Sequence, residues 1–364
     1  MLQKVYVQNH RKKYLLLCFS LLTTLLCAYF FSTLGLHDAG LFQTLHAIIN
    51  WFNGTLDTSG NAAVNKIILY LRLPRILLAL LAGIGLAAAG AVMQSVTRNY
   101  LVSPFTLGIS SAAAFGASIC IVFASGAFFT SDIGIICCAF LASCSCGLVV
   151  YGISRHIGVK PTTLVLVGIA LNYFFSALTA TIEFFAKEHK LEAVVQWTFG
   201  SFNRATWESV LITGGITLVC FTGLMLYCLQ LDAMSSCDDE TVKSLGVDPE
   251  RLRTSIGLIA VLLTSAIISF TGVIGFVGLI APHMARFIIG SSHRFYLPCA
   301  AILGALLLLA SDTVGRLILY PVNIPVGIII SFLGVPLFIH LILSKAPNCL
   351  LYTSPSPRDR SLSR

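Results

Sequence analysis

The chain has 364 residues, 57% hydrophobic and 10% charged, with 23 Lys and Arg against 15 Asp and Glu and a formal net charge of +8. A mean hydropathy of +0.89, with a charged fraction far below the roughly 25% of soluble domains, excludes a water-soluble globular protein. A nucleic-acid binder is excluded too, because the Lys and Arg residues are scattered between apolar runs and form no basic face. Apolar runs near the ~20 residues that span a bilayer recur along the chain, and no polar stretch could fold as a separate soluble domain. Residues 1–346 therefore read as one all-α, polytopic domain of about ten transmembrane helices.

In chain order, the first span, 14–34, follows Lys4, Arg11, Lys12 and Lys13. It has the look of a signal peptide, but no small-residue cleavage site follows, so a retained helix is expected. Next come spans over 73–94, 105–125, 133–153, 162–184 and 209–229, then 254–274, 277–290, 296–316 and 325–344. By the positive-inside rule the basic start lies in the cytoplasm; alternation then puts thirteen Lys/Arg inside and seven outside, Arg72 and Arg75 among the latter. The outer loops 35–70 and 185–208 have room for short surface helices. Two spans carry small residues every fourth position, Gly83/Ala87/Ala91 and Gly108/Ala112/Gly116, a pattern that packs membrane helices closely. Twelve cysteines show no zinc-type spacing, and Cys137, Cys138, Cys144 and Cys146 sit in one apolar run as small hydrophobes; neither a disulfide nor a metal site is expected.

The inner loop 230–253 holds Asp232, Asp238, Asp239, Glu240, Asp248 and Glu250 and reads as two short helices. Asp238 or Asp239 caps the first and Gly246 stops it; Asp248 caps the second, with Pro249 at its first position. Such a pair is either a protruding docking element or a solvated loop. Between Arg253 and Arg286, both inside, only residues 254–285 cross and return. At about 1.5 Å per residue they are too short for two crossings of a ~30 Å core. One crossing must be short or partly unwound, and Gly272, Gly275, Gly278 and Pro282 mark the break. Irregular backbone at that depth lies against protein or a water-filled cavity, so the break is either a packing kink or part of a translocation path.

No Gly-Lys pair exists, so there is no P-loop to cradle nucleotide phosphates. The intramembrane carboxylates of an ion-coupled carrier are missing as well: Asp132 and Glu183 lie near span ends, and Asp312 stands one turn before Arg316, as an i,i+4 pair would. His283 has no visible partner set. No nucleophile–base pair can be assembled, so the chain is not expected to be an enzyme by itself, and no cofactor is expected on it.

The run RLPRILLALLAGIGLAAAGAVMQSVTRNYLVSPFTLGISSAAAFG, then GIALNYFFSALTA, VVQWTFGSF, ETVKSLGVDPERLR, GVIGFVGLIAPHMAR and IPVGIIISFLGVPLFIHLIL, resembles the FecCD-type permeases. These are the membrane subunits of type II ATP-binding-cassette importers for iron siderophores, haem or cobalamin. The resemblance, over about residues 14–345, implies a ten-helix permease in the bacterial inner membrane with its N-terminus in the cytoplasm. It also implies a permease partner (a copy or a relative), cytoplasmic ATPase subunits and a solute-binding protein. By that resemblance Arg72, Arg75 and Arg316 receive acidic residues of the binding protein, the alternative being lip arginines that snorkel. Leu245, Gly246 and Val247 centre the element that meets the ATPase. Met93, Gln94 and Asn99 fall where the family lines or gates the path. Two departures stand out: Tyr100 replaces a proline of the family's R-N-P-L-A-x-P turn, and Asn323 replaces an acidic residue before the last span. Residues 347–364, rich in Ser, Pro and Arg, match nothing in the family and read as read-through or an expression scar, or as a flexible tail. A ferric siderophore is the expected cargo, haem or cobalamin the alternatives, and an ion-gradient-driven carrier the rival class.

Overall fold

The computed structural model describes residues 2–34, 40–53, 62–123, 131–319 and 322–350. Their helices are α1 (Leu2–Thr33), α2 (Leu41–Phe52), α3 (Ala62–Ile67), α4 (Leu73–Thr97), α5 (Ile109–Phe123), α6 (Asp132–Ile157), α7 (Pro161–Phe185) and α8 (Glu188–Thr198). There follow α9 (Trp207–Leu226), α10 (Cys228–Ser236), α11 (Asp239–Ser244), α12 (Pro249–Thr271), α13 (Val277–Ile289), α14 (His293–Leu317) and α15 (Val326–Leu350). Among the described residues, seven helical stretches are long and apolar enough to cross a membrane, and three shorter apolar helices begin at Ile109, Val277 and Val326. These ten coincide in order and place with the ten expected spans. Loops 35–70 and 185–208 carry α2, α3 and α8 as short helices; residues 351–364 of the C-terminal segment lie outside the described residues.

α4 is the centre of the bundle, packed against α14, α12, α13 and α9. Its small residues allow this. A Cβ on Gly83 would lie 2.3 Å from the Gly304 oxygen of α14, and one on Gly304 would lie 2.4 Å from the Gly83 oxygen, so the two backbones touch. Gly116 makes the same kind of approach to the Cys138 oxygen of α6. Both small-residue stripes are thus packing faces. α4 begins at Leu73, where the expected span begins, but it continues a helix already under way. α3 runs into α4 through a π-helical turn, Ile68–Arg72, just before Pro74. A proline inside a helix removes one backbone donor and crowds the preceding turn, and a π turn absorbs that locally.

The expected break lies between α12 and α13. Gly272 has φ +73°, which ends α12, and Phe276 at φ +63° opens α13. α13 has 13 residues, about 20 Å of helix. The start of the unwound stretch lies against protein, Ser201 N donating to Thr271 O at 2.7 Å and a Cβ on Gly272 standing 2.3 Å from Trp197 O, while Gly275 and Phe276 face an open cavity.

Candidate functional site

At one end of the bundle the three arginines singled out in the sequence come together, and each is already engaged. Arg72 is buried, and its Nη1 donates to Ser32 O (3.0 Å) and Thr33 O (3.3 Å), closing the free carbonyls of α1. Arg75 forks onto Asp312, Nη2 to Oδ1 at 2.8 Å and Nε to Oδ2 at 3.0 Å, and its Nη1 donates to Asn203 Oδ1 at 2.7 Å. Arg316 stands 3.3 Å from Asp312 Oδ2 and reaches Leu34 O. Asp312 thus serves two guanidinium groups, the expected i,i+4 partner and one 237 residues away. Three arginines against one aspartate leave this cluster, taken by itself, with a surplus of two positive charges.

The opposite end carries the acidic segment. Asp238 occupies the first cap of α11, although its carboxylate accepts from the Thr241 hydroxyl and not from a backbone N–H. Gly246, at φ +82°, ends that helix with Val247 N donating to Val242 O (3.3 Å), a Schellman-type stop. Asp248 caps α12 at Glu250 N and Arg251 N, with Pro249 in the first turn. Leu245 is 62% exposed on the resulting turn, and a Cβ on Gly246 would meet nothing within 4 Å.

Asp239 does not cap; it is held by two arginines. Arg253, fully buried, donates Nη1 to Oδ2 at 2.9 Å and Nη2 to Oδ1 at 2.6 Å, and Arg98 Nη2 donates to Oδ1 at 2.8 Å. The Arg253 hydrogen bond, then the charges of Arg253 and Arg98, outweigh burial and hold this carboxyl below the ordinary aspartate value. A lowered folded-state value stabilises the fold at every pH above the unfolded value near ~4, and that contribution is lost as pH falls through the folded one. A second buried link joins Asp232 Oδ1 to His293 Nδ1 (2.6 Å) and His293 Nε2 to Ser95 Oγ (2.6 Å). Burial raises the Asp232 carboxyl, but the His293 hydrogen bonds and charge more than offset it. Ser, His and Asp in line suggest a hydrolytic triad, but Ser95 Oγ is buried and donates to Ala91 O at 2.8 Å, so no substrate carbonyl can reach it.

Between the ends, an open cavity of 660 Å³ is lined by Phe105, Phe199, Phe276 and Phe332, with Thr198, Ser331 and Gly275 among them. The lining carries no ionisable side chain. Of the path residues expected from the sequence, only Gly275 lines it. Met93 and Gln94 are buried inside the subunit, Gln94 Nε2 donating to Gly278 O at 3.3 Å. Asn99 Oδ1 accepts from Leu101 N, Gly272 caps α12, and Gly278 packs against α4. Met93 and Gln94 lie on α4, a helix so enclosed that its polar and small residues serve packing, and the cavity falls on aromatic residues that look like ordinary core. Tyr100, the departure from the family turn, lays its ring 4.1 Å from the Arg286 guanidinium and edge-on to His283, tying the 98–104 turn to α13.

These features define an all-α, multi-span membrane transport subunit, with polar fixtures at both ends and an apolar cavity between. The chain belongs to the FecCD transport family, whose profile matches residues 20–344. It is 36% identical over 300 residues to the hemin transport system permease protein HmuU of Yersinia pestis, covering 81% of this chain and 88% of that one. Over 309 residues it is 33% identical to the Fe(3+)-citrate import system permease protein YfmD of Bacillus subtilis, covering 85% and 88%. A solved chain of an ABC transporter assigned to the metal-chelate type, in an inward-facing conformation, superposes with a TM-score of 0.78 at 30% identity, covering 90% of this chain and 99% of that one.

Proposed function

We propose that this protein is the membrane-spanning permease of an ATP-binding-cassette importer that moves an iron chelate, a ferric siderophore foremost, across a bacterial cell membrane. The N-terminus and the Asp239 end face the cytoplasm, where the Lys/Arg excess lies. There the 237–248 turn meets a separate ATPase subunit. The Arg75 end faces outward and receives acidic residues of a binding protein, drawn by the local positive charge of the Arg72, Arg75 and Arg316 cluster. A second permease completes the path on the cavity side.

The observation that carries this reading is Leu245. A large apolar side chain, exposed on a turn capped on both sides, has no role within the subunit and calls for a partner groove. The cargo class follows from the cavity. A bare ferric ion needs oxygen or nitrogen ligands, and a phenylalanine lining with two hydroxyls supplies almost none, so the metal travels inside an organic shell. Haem is the second reading, favoured by the four rings and by the hemin relative. At nearly equal identity, the two named relatives handle hemin and ferric citrate.

Two measurements test this. Uptake of radio-iron as a hydroxamate siderophore complex, and of hemin in parallel, is expected to stop on ATP depletion and to persist when the proton gradient is collapsed. Uptake lost with the gradient while ATP persists would restore the ion-driven carrier. Separately, Leu245→Asp is expected to release the ATPase on affinity purification with the permease still folded and membrane-bound. An ATPase that stays attached refutes the assignment of the turn.

A further inference from the structure

Among the described residues, the polar side-chain ties of segment 228–248 to elements distant from it in the chain run to the last turn of α4 or to residues bonded to it. Asp232 reaches Ser95 through His293. Arg98 Nε donates to Met234 O at 2.7 Å and its Nη2 to Asp239. Arg253 grips Asp239 while its Nε donates to Val96 O (3.1 Å) and its Nη1 to Val159 O (3.2 Å). From α4 two further ties lead to α13. Gln94 donates to Gly278 O, and the Gly90 backbone lies against Gly278, two residues past Phe276 of the cavity lining.

We infer that Asp239, held by Arg98 and Arg253, is the joint that passes displacement of the ATPase-facing segment to α4 and, through Gly278, to the cavity. The inference rests on the reading that the segment meets an ATPase. Two observations separate this joint from an ordinary surface ion pair, which is worth little and lets go easily. The Arg253 guanidinium is fully buried with each nitrogen committed, and a planar fork bonded on all sides cannot swivel, so the start of α11 moves with α4 and α12. Arg98 is the second. It holds φ +50°, a conformation that costs a non-glycine residue energy and that asparagine or glycine would adopt at the end of α4 with less strain. Its guanidinium, bonded to both α10 and α11, gives the reason for arginine. If the clasp served only to fasten the segment, Arg253 alone would suffice for Asp239; Arg98 adds the direct tie to the end of α4. These are positioning residues, acting through the helices they join.

The test uses the whole transporter, permease with ATPase and binding protein, in proteoliposomes, and reads radio-iron hydroxamate siderophore or hemin taken up per ATP hydrolysed. Arg98→Asn keeps the backbone conformation accessible and leaves Asp239 paired with Arg253, so no buried charge is stranded. The expected result is normal assembly and basal ATPase, with uptake per ATP lowered about five- to tenfold, the range of ordinary coupling. Should that variant fail to assemble, Asp239→Asn/Arg253→Met, which removes both charges together, carries the same expectation. Uptake per ATP equal to that of the unaltered protein overturns the inference. So does a loss of uptake only in proportion to lost assembly or ATPase in both variants, since the clasp would then merely hold the fold. A failure of Leu245→Asp to release the ATPase would instead sink the reading beneath it, whatever Arg98→Asn does.

Discussion

Gly90→Val is expected to leave little folded protein. A Cβ at Gly90 would stand 1.8 Å from the Gly278 oxygen and 2.5 and 2.6 Å from its C and Cα. All three are backbone atoms, so no rotamer change relieves the overlap, and α4 and α13 must part. That separation also breaks the Gln94 bond to Gly278 O and loosens the interface behind Phe276. Overpacking a tolerant core costs about 1–3 kcal/mol; a backbone-on-backbone clash in the most enclosed helix of the bundle exceeds that. Gly152→Ala is the matched control: nothing lies within 4 Å of its Cβ position on α6, and alanine in a helix gains about 0.5–1 kcal/mol over glycine. Size-exclusion profiles of detergent-solubilised protein after a heating series distinguish the two. Gly90→Val recovered at normal yield and midpoint would show that α4 and α13 are not in backbone contact.

Asp312→Asn is expected to destabilise the Arg75 end severely while sparing attraction for an acidic partner. Asp312 is buried between Arg75 and Arg316. Removing its charge leaves two confined guanidinium groups to repel each other, and breaking a buried pair on one side costs about 3–5 kcal/mol. The same change raises the surplus of positive charge within the cluster from two to three. Arg75→Gln does the reverse: Asp312 keeps Arg316, the fold is strained less, and the surplus falls to one. Binding-protein docking, measured at low and moderate salt, is therefore expected to weaken for Arg75→Gln and to hold for whatever Asp312→Asn protein remains folded, with the difference shrinking as salt rises. Docking that tracks stability and ignores charge would assign this cluster to the fold alone. Reversing Arg72 to Glu is a poor probe, because its guanidinium caps α1 and its loss disturbs two helices at once.

The ten spans and the break were legible because a membrane helix announces itself by unbroken apolar length. The caps at Gly246 and Asp248 were legible because capping is decided within four residues. Arg72 and Arg75 stood out as charges at the lip of an apolar run, whereas Arg316 and Leu245 were picked out only by the resemblance to the family. The role of Asp239 was not legible: it sits at a helix start and reads as a cap. Nor was the cavity, since Phe105, Phe199, Phe276 and Phe332 are unremarkable in a chain with 24 phenylalanines.

By itself the sequence determined the class of protein, the number and order of its spans, the shortness of α13 and the exposed turn, all of them consequences of local composition and of the length a bilayer demands. Only the tertiary structure decided which charges meet. Arg75 and Asp312 are 237 residues apart, Arg98 and Asp239 are 141, and Ser95 and His293 are 198. The physical reason is that a buried charge must find its counter-charge wherever packing brings one. Packing here is set by glycine contacts between helices distant in sequence, such as Gly83 with Gly304 and Gly90 with Gly278, and nothing near either arginine in the chain records its partner.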